Sequence, residues 1–329
     1  MSDIDLVVLW VDGADPAWQA EKAKYTGGSE GDARLIRYRD WRVFRYFFRG
    51  IEQNLPWLRR VYFVTWGHLP PWLDPEHPKL RVVRHDEFIP AEYLPTFSAN
   101  PIELHLHLLP GLADRFIYAN DDMFFLWPTA EDFFFKDGLP VDRAVQNVLQ
   151  FRQTGGIDHI VVNDLICLNS SFDKREFMKK HANKWFSPLY GRGALQNLYL
   201  TPFHNFTGFE DPHIPYAYLK RTFEEVWAAH GETLAATARR RVRSNGDVNQ
   251  WLMRYWQLAS GSFTPGGADR GRLFAIGAED RAIEDAILNR RYPMVCLSDH
   301  DEGVDFEAED RFLNGLFERI LPEKSAFER

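Results

Sequence analysis

The sequence has few cysteines, no long apolar run and no excess of basic residues. Cys167 and Cys296 are its two cysteines, which excludes a disulfide framework and a zinc site built from cysteine pairs. No run approaches the roughly 18 apolar residues of a membrane-spanning helix. The net charge of -8 differs from that of a nucleic-acid-binding protein, which needs a basic face. We therefore expect no membrane span and no nucleic-acid partner.

The N-terminal residues also lack the basic and apolar segments of a signal peptide. We expect a cytoplasmic protein, either soluble or peripheral to the inner face of the membrane. With 45% hydrophobic and 26% charged residues, the composition is that of a globular protein. The aromatic content is high, at 15% with 11 tryptophans, and it suits both a dense core and the flat faces of a carbohydrate ligand.

Polar side chains follow four apolar runs, which predict buried strands at 4–10, 61–65, 80–84 and 116–118. The residues at their ends are, in chain order, Asp12, Thr65 with His68, His85 with Asp86, and Asp121 with Asp122. Helical patterns separate the runs, so we predict an open, mostly parallel α/β sheet. Ligands of such a sheet lie outside the carboxyl ends of the strands.

Asn120, Asp121 and Asp122 interrupt an apolar run that resumes at Met123. Carboxylates in such a run are costly unless a cation or several donors compensate them, and at a strand end they could hold a divalent cation on a phosphate. The alternative is an Asx turn with solvated side chains. A later apolar run, 294–297, also ends in a polar segment that contains Asp299.

Helical patterns dominate from 141 to 261. Further helices are predicted at 40–54, 98–109 and 305–321, and a polar loop at 21–32.

His213 lies between Pro212 and Pro215, where an imidazole with little freedom suits a general base or a structural turn. The basic run 239–243 could hold a diphosphate or be an exposed helix end. We expect one catalytic unit in three parts: an α/β part at 1–140, a mainly helical part at 141–265 and a closing segment at 266–329.

Four blocks of sequence resemble the Stealth family of sugar-1-phosphate transferases, which act in bacterial capsule and exopolysaccharide synthesis and are related to the animal lysosomal-enzyme N-acetylglucosamine-1-phosphotransferase. They follow the family's order over nearly the whole chain. The first spans 4–16. The second runs from 37–40 and 58–65 through 72–74, 85–87, 94–97 and 102–105 to 116–125. The third comprises 183–186, 211–215, 222–227 and 243–249, and the fourth is 296–299.

The resemblance implies a nucleotide-sugar-binding sheet of the Rossmann or GT-A-like type with a helical subregion in the second half. It implies transfer of a sugar-1-phosphate, from a donor such as UDP-GlcNAc, to a hydroxyl of an acceptor glycan, with release of a nucleoside monophosphate. The metal would be Mg²⁺ or Mn²⁺. The residues carried over are catalytic Asp122, His213, Arg243 and Asp299; metal-binding Asp121, Asp122 and Asp299; and substrate-binding Asp12, Gly13, Asp40, Arg45, Thr65, Asn120 and Lys184.

Two positions depart from the family's usual pattern. Ser298 stands where asparagine is common, and the segment 65–68 reads Thr-Trp-Gly-His instead of Thr-Asn-Gly-Gln. Both changes neighbour expected ligand contacts and bear on the choice of sugar. Two other functions fit the same residues. A metal-dependent GT-A-like glycosyltransferase would break the sugar–phosphate bond, and a non-enzymatic glycan-binding module would need neither the metal nor His213.

Overall fold

The computed structural model describes residues 3–26, 41–150, 156–299 and 303–329. Its largest sheet has the strand order β3-β2-β1-β4-β8. The first four strands pair in parallel and β8 pairs antiparallel with β4. These strands are β1 Ile4–Trp10, β2 Arg60–Thr65, β3 Leu80–Arg84, β4 Arg115–Asn120 and β8 Tyr216–Leu219. The predicted α/β class and mostly parallel sheet are confirmed.

Two smaller sheets, with orders β10-β11-β5 and β6-β7-β9, complete the strands of the described ranges. Their strands are β5 Met123–Phe125, β6 Phe135–Lys136, β7 Leu139–Asp142, β9 Thr264–Pro265, β10 Gly271–Ala275 and β11 Met294–Ser298. The apolar run at 294–297 therefore forms a strand, as expected. The sequence pattern predicted none of the short strands β6 to β10. A strand of two to five residues has too few positions to show a period of two.

Helices cover the sheets and form most of the middle of the chain. They are α1 Pro16–Thr26, α2 Phe44–Asn54, α3 Ala99–Leu104, α4 Ile157–Ser171, α5 Lys174–Lys180, α6 Ala182–Trp185, α7 Arg192–Tyr199, α8 Lys220–Ala238, α9 Gln250–Ser260, α10 Asp280–Leu288 and α11 Phe306–Ile320. No helix in the described part of the chain is both long and apolar enough to cross a membrane.

Helix α1 corrects the loop predicted at 21–32, because its last turns extend to Thr26. The carboxylate of Asp15 accepts a hydrogen bond of 2.8 Å from the backbone N–H of Trp18 and so caps the helix. The buried Trp18 ring packs edge-on against Phe97, 5.8 Å away. These two contacts explain a helix in a stretch with little amphipathic pattern. The remainder of the predicted loop, 27–32, lies outside the described residues.

The helix predicted at 98–109 begins as expected but ends early, at Leu104. The Ser98 hydroxyl accepts a hydrogen bond from the Asn100 N–H at its start. At its end the His105 ring contacts the Pro101 carbonyl at 2.7 Å. In a continuing α-helix the His105 N–H would donate to the Pro101 carbonyl, but here it donates to the Ile102 carbonyl.

Candidate active site

The pairing of β8 with β4 brings His213 to the edge where β4 ends. Tyr216 lies opposite Tyr118 in this antiparallel pair. His213 precedes Tyr216 by three positions and Asp121 follows Tyr118 by three, so both segments leave the sheet on the same side. This is the same edge at which the parallel strands β1, β2 and β3 end.

The pairing of β11 with β5 brings a third segment to the same place. Cys296 lies opposite Met123 in this antiparallel pair, and the Leu297 N–H donates a hydrogen bond of 2.9 Å to the Asp122 carbonyl. The end of β11, where Ser298 and Asp299 follow, is therefore held beside the turn that carries Asp122.

The side chains of Asp122, His213 and Cys296 converge. A carboxylate oxygen, an imidazole nitrogen and the thiol sulfur lie within 4.8 Å of one another. Asp122 and His213 are partly buried and Cys296 is fully buried. Burial, together with the neighbouring charge of Asp122 and a hydrogen bond to it, raises the pKa of the Cys296 thiol well above its usual value.

This group has the chemistry of a divalent-cation site. Carboxylate oxygens suit Mg²⁺ and Mn²⁺, and an imidazole nitrogen is compatible with Mn²⁺. The Asp122 carboxylate and the His213 imidazole thus fit the expected Mg²⁺ or Mn²⁺, and the metal-binding roles of Asp121 and Asp299 stay predictions. The buried Cys296 thiol is the third member of this group.

A second network connects Arg243 with the end of β4. The Tyr118 hydroxyl lies 2.9 Å from the Glu103 carboxylate and 2.7 Å from the Asn120 side-chain oxygen. Burial raises the pKa of Glu103, while the charge of Arg243 lowers it. Arg243 is therefore close enough to Glu103 to interact with it electrostatically, and Glu103 links it through Tyr118 to Asn120.

The segment that carries His213 is fixed by a buried ion-pair cluster. Arg254 donates hydrogen bonds to Asp142, at 2.8 Å and 3.0 Å, and also to Asp211. The Tyr255 hydroxyl donates to the same Asp211 carboxylate. Burial raises the pKa of Asp211 to about 6. Two residues after Asp211, His213 has a φ of 49°.

The His213 backbone conformation lies in the left-handed region, which L residues other than glycine rarely adopt. The ring stands edge-on to Trp251, with centroids 5.9 Å apart. Because surrounding contacts must hold such a conformation, the Asp211–Arg254 cluster and the Trp251 contact account for a fixed imidazole direction.

The predicted substrate residues at the ends of β1 and β2 form local turns. Asp12 accepts a hydrogen bond of 2.9 Å from the Ala14 N–H, which forms an Asx turn. Its own N–H donates to Nε2 of His68, at 2.8 Å. The Gly13 carbonyl accepts from Gln19, and the Thr65 hydroxyl donates to the His68 carbonyl. These contacts shape the rim of the sheet beside the acidic turn.

The contacts of the described residues do not connect two of the predicted substrate residues, Lys184 and Arg45, with this group. The Lys184 ammonium donates to the Gly261 and Phe263 carbonyls, at 2.7 Å and 2.6 Å, which are backbone groups after α9, and its contact with a phosphate stays a prediction. Arg45 lies in the first turn of α2. Asp40 lies outside the described residues.

Three residues of the site were not predicted from the sequence: Cys296 as a group facing Asp122, Glu103 beside Tyr118 and Arg254 beside Asp211. Glu103 and Arg254 are buried charges within helices whose other buried residues are mostly apolar. The sequence indicated them only by a charged residue among the apolar positions of a helix, since such a residue must find a partner when it is buried. For Cys296 no signal existed, because its neighbours follow from strand register alone.

Three stretches match conserved regions of Stealth proteins: region 1 at 2–30, region 2 at 37–142 and region 3 at 212–258. The chain is 37% identical to a Streptococcus pneumoniae capsular polysaccharide phosphotransferase, WcwK, over all of both proteins. It is 36% identical to the exopolysaccharide phosphotransferase cps2G of Lactiplantibacillus plantarum, over 99% of this chain and 96% of the relative. It is 38% identical to the receptor polysaccharide phosphotransferase WefC of Streptococcus oralis, over all of both.

Similarity to solved structures is low. A crystal structure of the galactosyltransferase LgtC with donor and acceptor sugar analogues aligns over 96% of each chain, at 8% identity and a TM-score of 0.41. A score at this level does not establish a shared fold.

Proposed function

The chain belongs to the Stealth family, and from this premise we propose that it is a sugar-1-phosphate transferase. It takes a hexose- or N-acetylhexosamine-1-phosphate from a nucleotide-diphosphate sugar, for example UDP-GlcNAc, and joins it to a hydroxyl of an acceptor glycan. The products are a phosphodiester and a nucleoside monophosphate. The phosphotransferase names of its relatives in capsule and exopolysaccharide synthesis support this reaction class.

One observation carries the proposal: Asp122, His213 and Cys296 meet within 4.8 Å although they lie far apart in the sequence. Asp122 comes from the part at 1–140, His213 from the part at 141–265 and Cys296 from the part at 266–329. We therefore propose that these three parts act as one catalytic unit. A carboxylate beside a fixed imidazole supplies a cation ligand and a proton acceptor in one place.

Asp122, with Asp121 and Asp299, would hold Mg²⁺ or Mn²⁺. When bound, the cation offsets the charge of the donor diphosphate. His213 takes the proton from the acceptor hydroxyl as its oxygen forms a bond to the β-phosphorus. The bond from that phosphorus to the bridging oxygen breaks, and the nucleoside monophosphate leaves with the electron pair. Arg243 compensates the charge on the transferred phosphoryl group, and the anomeric bond of the sugar stays intact.

The remaining site residues have supporting roles in this proposal. Asn120 shares a hydrogen-bond network with Tyr118 and Glu103, which orients the turn that carries the acids. Asp12 and Gly13, in the turn after β1, would border the nucleotide together with Thr65 on β2. They lie at the carboxyl ends of adjacent parallel strands, the usual place for a nucleotide in an open α/β sheet.

Analysis of the released nucleotide tests this proposal. We would incubate the protein with a panel of nucleotide sugars, Mg²⁺ and a capsular oligosaccharide acceptor, and separate the products by anion-exchange chromatography. We expect nucleoside monophosphate, in an amount equal to the phosphate gained by the glycan. Nucleoside diphosphate would indicate a glycosyltransferase. Binding of glycan without nucleotide release would indicate a binding module. Asp122→Asn should release no nucleotide above background.

A further inference from the structure

A cleft of about 490 Å³ lies at the amino ends of β10 and β11, away from the acidic turn. Its lining includes Trp127, Lys136 and Arg270, with Asp132 at the exposed rim. The small residues Gly266, Gly267 and Ala268 keep one wall open. We call it the Arg270 cleft.

The Arg270 cleft is connected directly to the segment that carries His213. Gly271 lies so close to Ile214 that a Cβ added there would be 2.7 Å from the Ile214 side chain. Pro293, in the lining, precedes Cys296 by three residues of nearly continuous strand, about 10 Å at 3.3 Å per residue. The cleft is therefore within reach of a second unit of a glycan whose first unit occupies the candidate active site.

Arg270 carries a positive charge on which Asp142 acts electrostatically without forming an ion pair. Its guanidinium stacks on the Phe133 ring, 3.9 Å from the centroid, and donates to the Phe133 carbonyl at 2.6 Å. Among the described residues it forms no ion pair with a carboxylate. Burial lowers its pKa to about 10, so at neutral pH it remains charged. A guanidinium has five N–H donors, and those left over match the oxygens of a phosphate.

Trp127 also lines the Arg270 cleft. In the described part of the chain the half-buried Trp127 indole has no aromatic partner and no hydrogen bond. Buried indoles usually find a partner for the ring N–H. An indole face in an open cleft suits the apolar face of a sugar ring. Lys136 adds a second positive charge to that of Arg270.

We propose that the Arg270 cleft binds an anionic segment of the acceptor glycan, with a phosphodiester on Arg270 and Lys136 and the adjoining sugar on Trp127. This rests on the proposed function, because a polymer built by sugar-1-phosphate transfer carries phosphodiesters near its growing end. The enzyme then recognises a chain that already contains the product linkage. The donor nucleotide is expected at the ends of β1 and β2, whose residues do not line this cleft.

Calorimetric titration of the full chain with two synthetic disaccharides tests the proposal. One probe has its two sugars joined by a phosphodiester and the other has the same sugars joined by a neutral glycosidic bond. We expect the phosphodiester probe to bind roughly 10-fold or more tightly, and this preference to weaken with added salt. Equal affinity for the two probes would overturn the proposal. So would displacement of the phosphodiester probe by nucleoside monophosphate, since it would make the cleft part of the donor site.

Variants locate the binding. Arg270→Gln should weaken binding of the phosphodiester probe by roughly 10- to 100-fold. Asp132→Asn should strengthen binding of this probe, because it removes a negative charge from the rim of the cleft. Arg272→Gln is the matched control. Arg272 is an exposed residue of β10, close to Arg270 in the sequence, and its side chain pairs with Glu279. It should leave both affinities unchanged. Unchanged affinity in Arg270→Gln would overturn the proposal.

Circular dichroism would check that each variant is folded. If Arg270→Gln does not fold, Asp132→Asn and Lys136→Gln decide the question, because both residues are exposed. Asp132→Asn must bind the phosphodiester probe more tightly, and Lys136→Gln must bind it more weakly. Any other result would contradict binding of the probe in the Arg270 cleft. Failure of the proposed function is distinct from these outcomes, because it would show as an absence of nucleotide release with every acceptor, whatever the probes do.

Discussion

Tyr216 lies directly opposite Tyr118 in the antiparallel pairing of β8 with β4. This register places His213 beside the acidic turn that follows β4, although the two segments are about ninety residues apart in the sequence. A strand shifted by one residue would turn every β8 side chain to the other face. The position of the imidazole at the candidate active site therefore depends on the pairing of a four-residue strand.

The metal role of Asp122 can be tested by thermal unfolding as well as by activity. We expect EDTA to abolish transfer and Mg²⁺ or Mn²⁺ to restore it. Because a cation that binds only the folded state stabilises it, Mn²⁺ at 100 times its Kd should raise the free energy of unfolding by about 2.7 kcal/mol. Asp122→Asn should show little of this gain. Full activity in chelator would remove the metal from the account.

His213 is expected to act on the acceptor and not on donor affinity. His213→Ala should lower turnover by a factor on the order of 10² to 10⁴, because a positioned general base contributes about that much. Donor affinity, measured by equilibrium binding of the nucleotide sugar, should change little. His230→Ala is a suitable control, since the His230 ring contacts Ser171 and Trp256 on other helices. Turnover equal to that of the unmodified protein would exclude His213 from the mechanism.

Arg254 should be among the residues on which stability depends most. Arg254→Gln leaves Asp142 and Asp211 buried without their cation, and breaking a buried pair in this way costs about 3–5 kcal/mol. Arg272→Gln removes an exposed pair with Glu279 and should cost at most about 1 kcal/mol. Urea unfolding at neutral pH measures both values. Equal costs would mean that the buried cluster does not hold the His213 segment.

His68 should make stability sensitive to acid. Burial lowers the pKa of His68 below its usual value, and Nε2 must be unprotonated to accept from the Asp12 N–H. Below about pH 6.5 the unfolded chain binds the proton more readily than the folded chain. The contribution is therefore present at neutral pH and is lost as the pH falls through this range.

His68→Gln separates this effect from the other histidines, because a glutamine oxygen accepts the same hydrogen bond and does not titrate. Urea midpoints at pH 7, 6 and 5 should fall less steeply in this variant than in the unmodified protein. His68→Ala loses the acceptor and should be less stable at every pH. Parallel pH profiles for the unmodified protein and His68→Gln would contradict the assignment.

Local pattern was sufficient to predict the four parallel strands, because each is a continuous apolar run bounded by polar residues. It also identified β11 and the acidic residues at the strand ends. It failed for α1, where the apolar pattern is weak and the Asp15 cap and Trp18 packing decide the structure. It overextended the helix after Ser98, because the His105 ring competes for a backbone carbonyl.

For the candidate site, the residues could be predicted from the sequence but their contacts with one another could not. Asp122 and His213 were chosen from their local sequence and from the family resemblance, but their mutual distance follows from the pairing of β4 with β8. Cys296 joins them through the pairing of β5 with β11. Pairing between distant strands is set by the whole fold and not by the residues of one segment. Residue type was therefore readable from the sequence, whereas the contacts between these residues were not.

The fate of the β-phosphorus tests the central claim most directly. A donor nucleotide sugar labelled with ³²P at the β-position would be incubated with acceptor glycan and Mg²⁺, and the glycan would be separated from the nucleotides. Our account predicts that the label appears in the glycan, in equal amount to the transferred sugar, and that Asp122→Asn and His213→Ala transfer almost none. Sugar in the glycan with all of the label left in nucleoside diphosphate would contradict it.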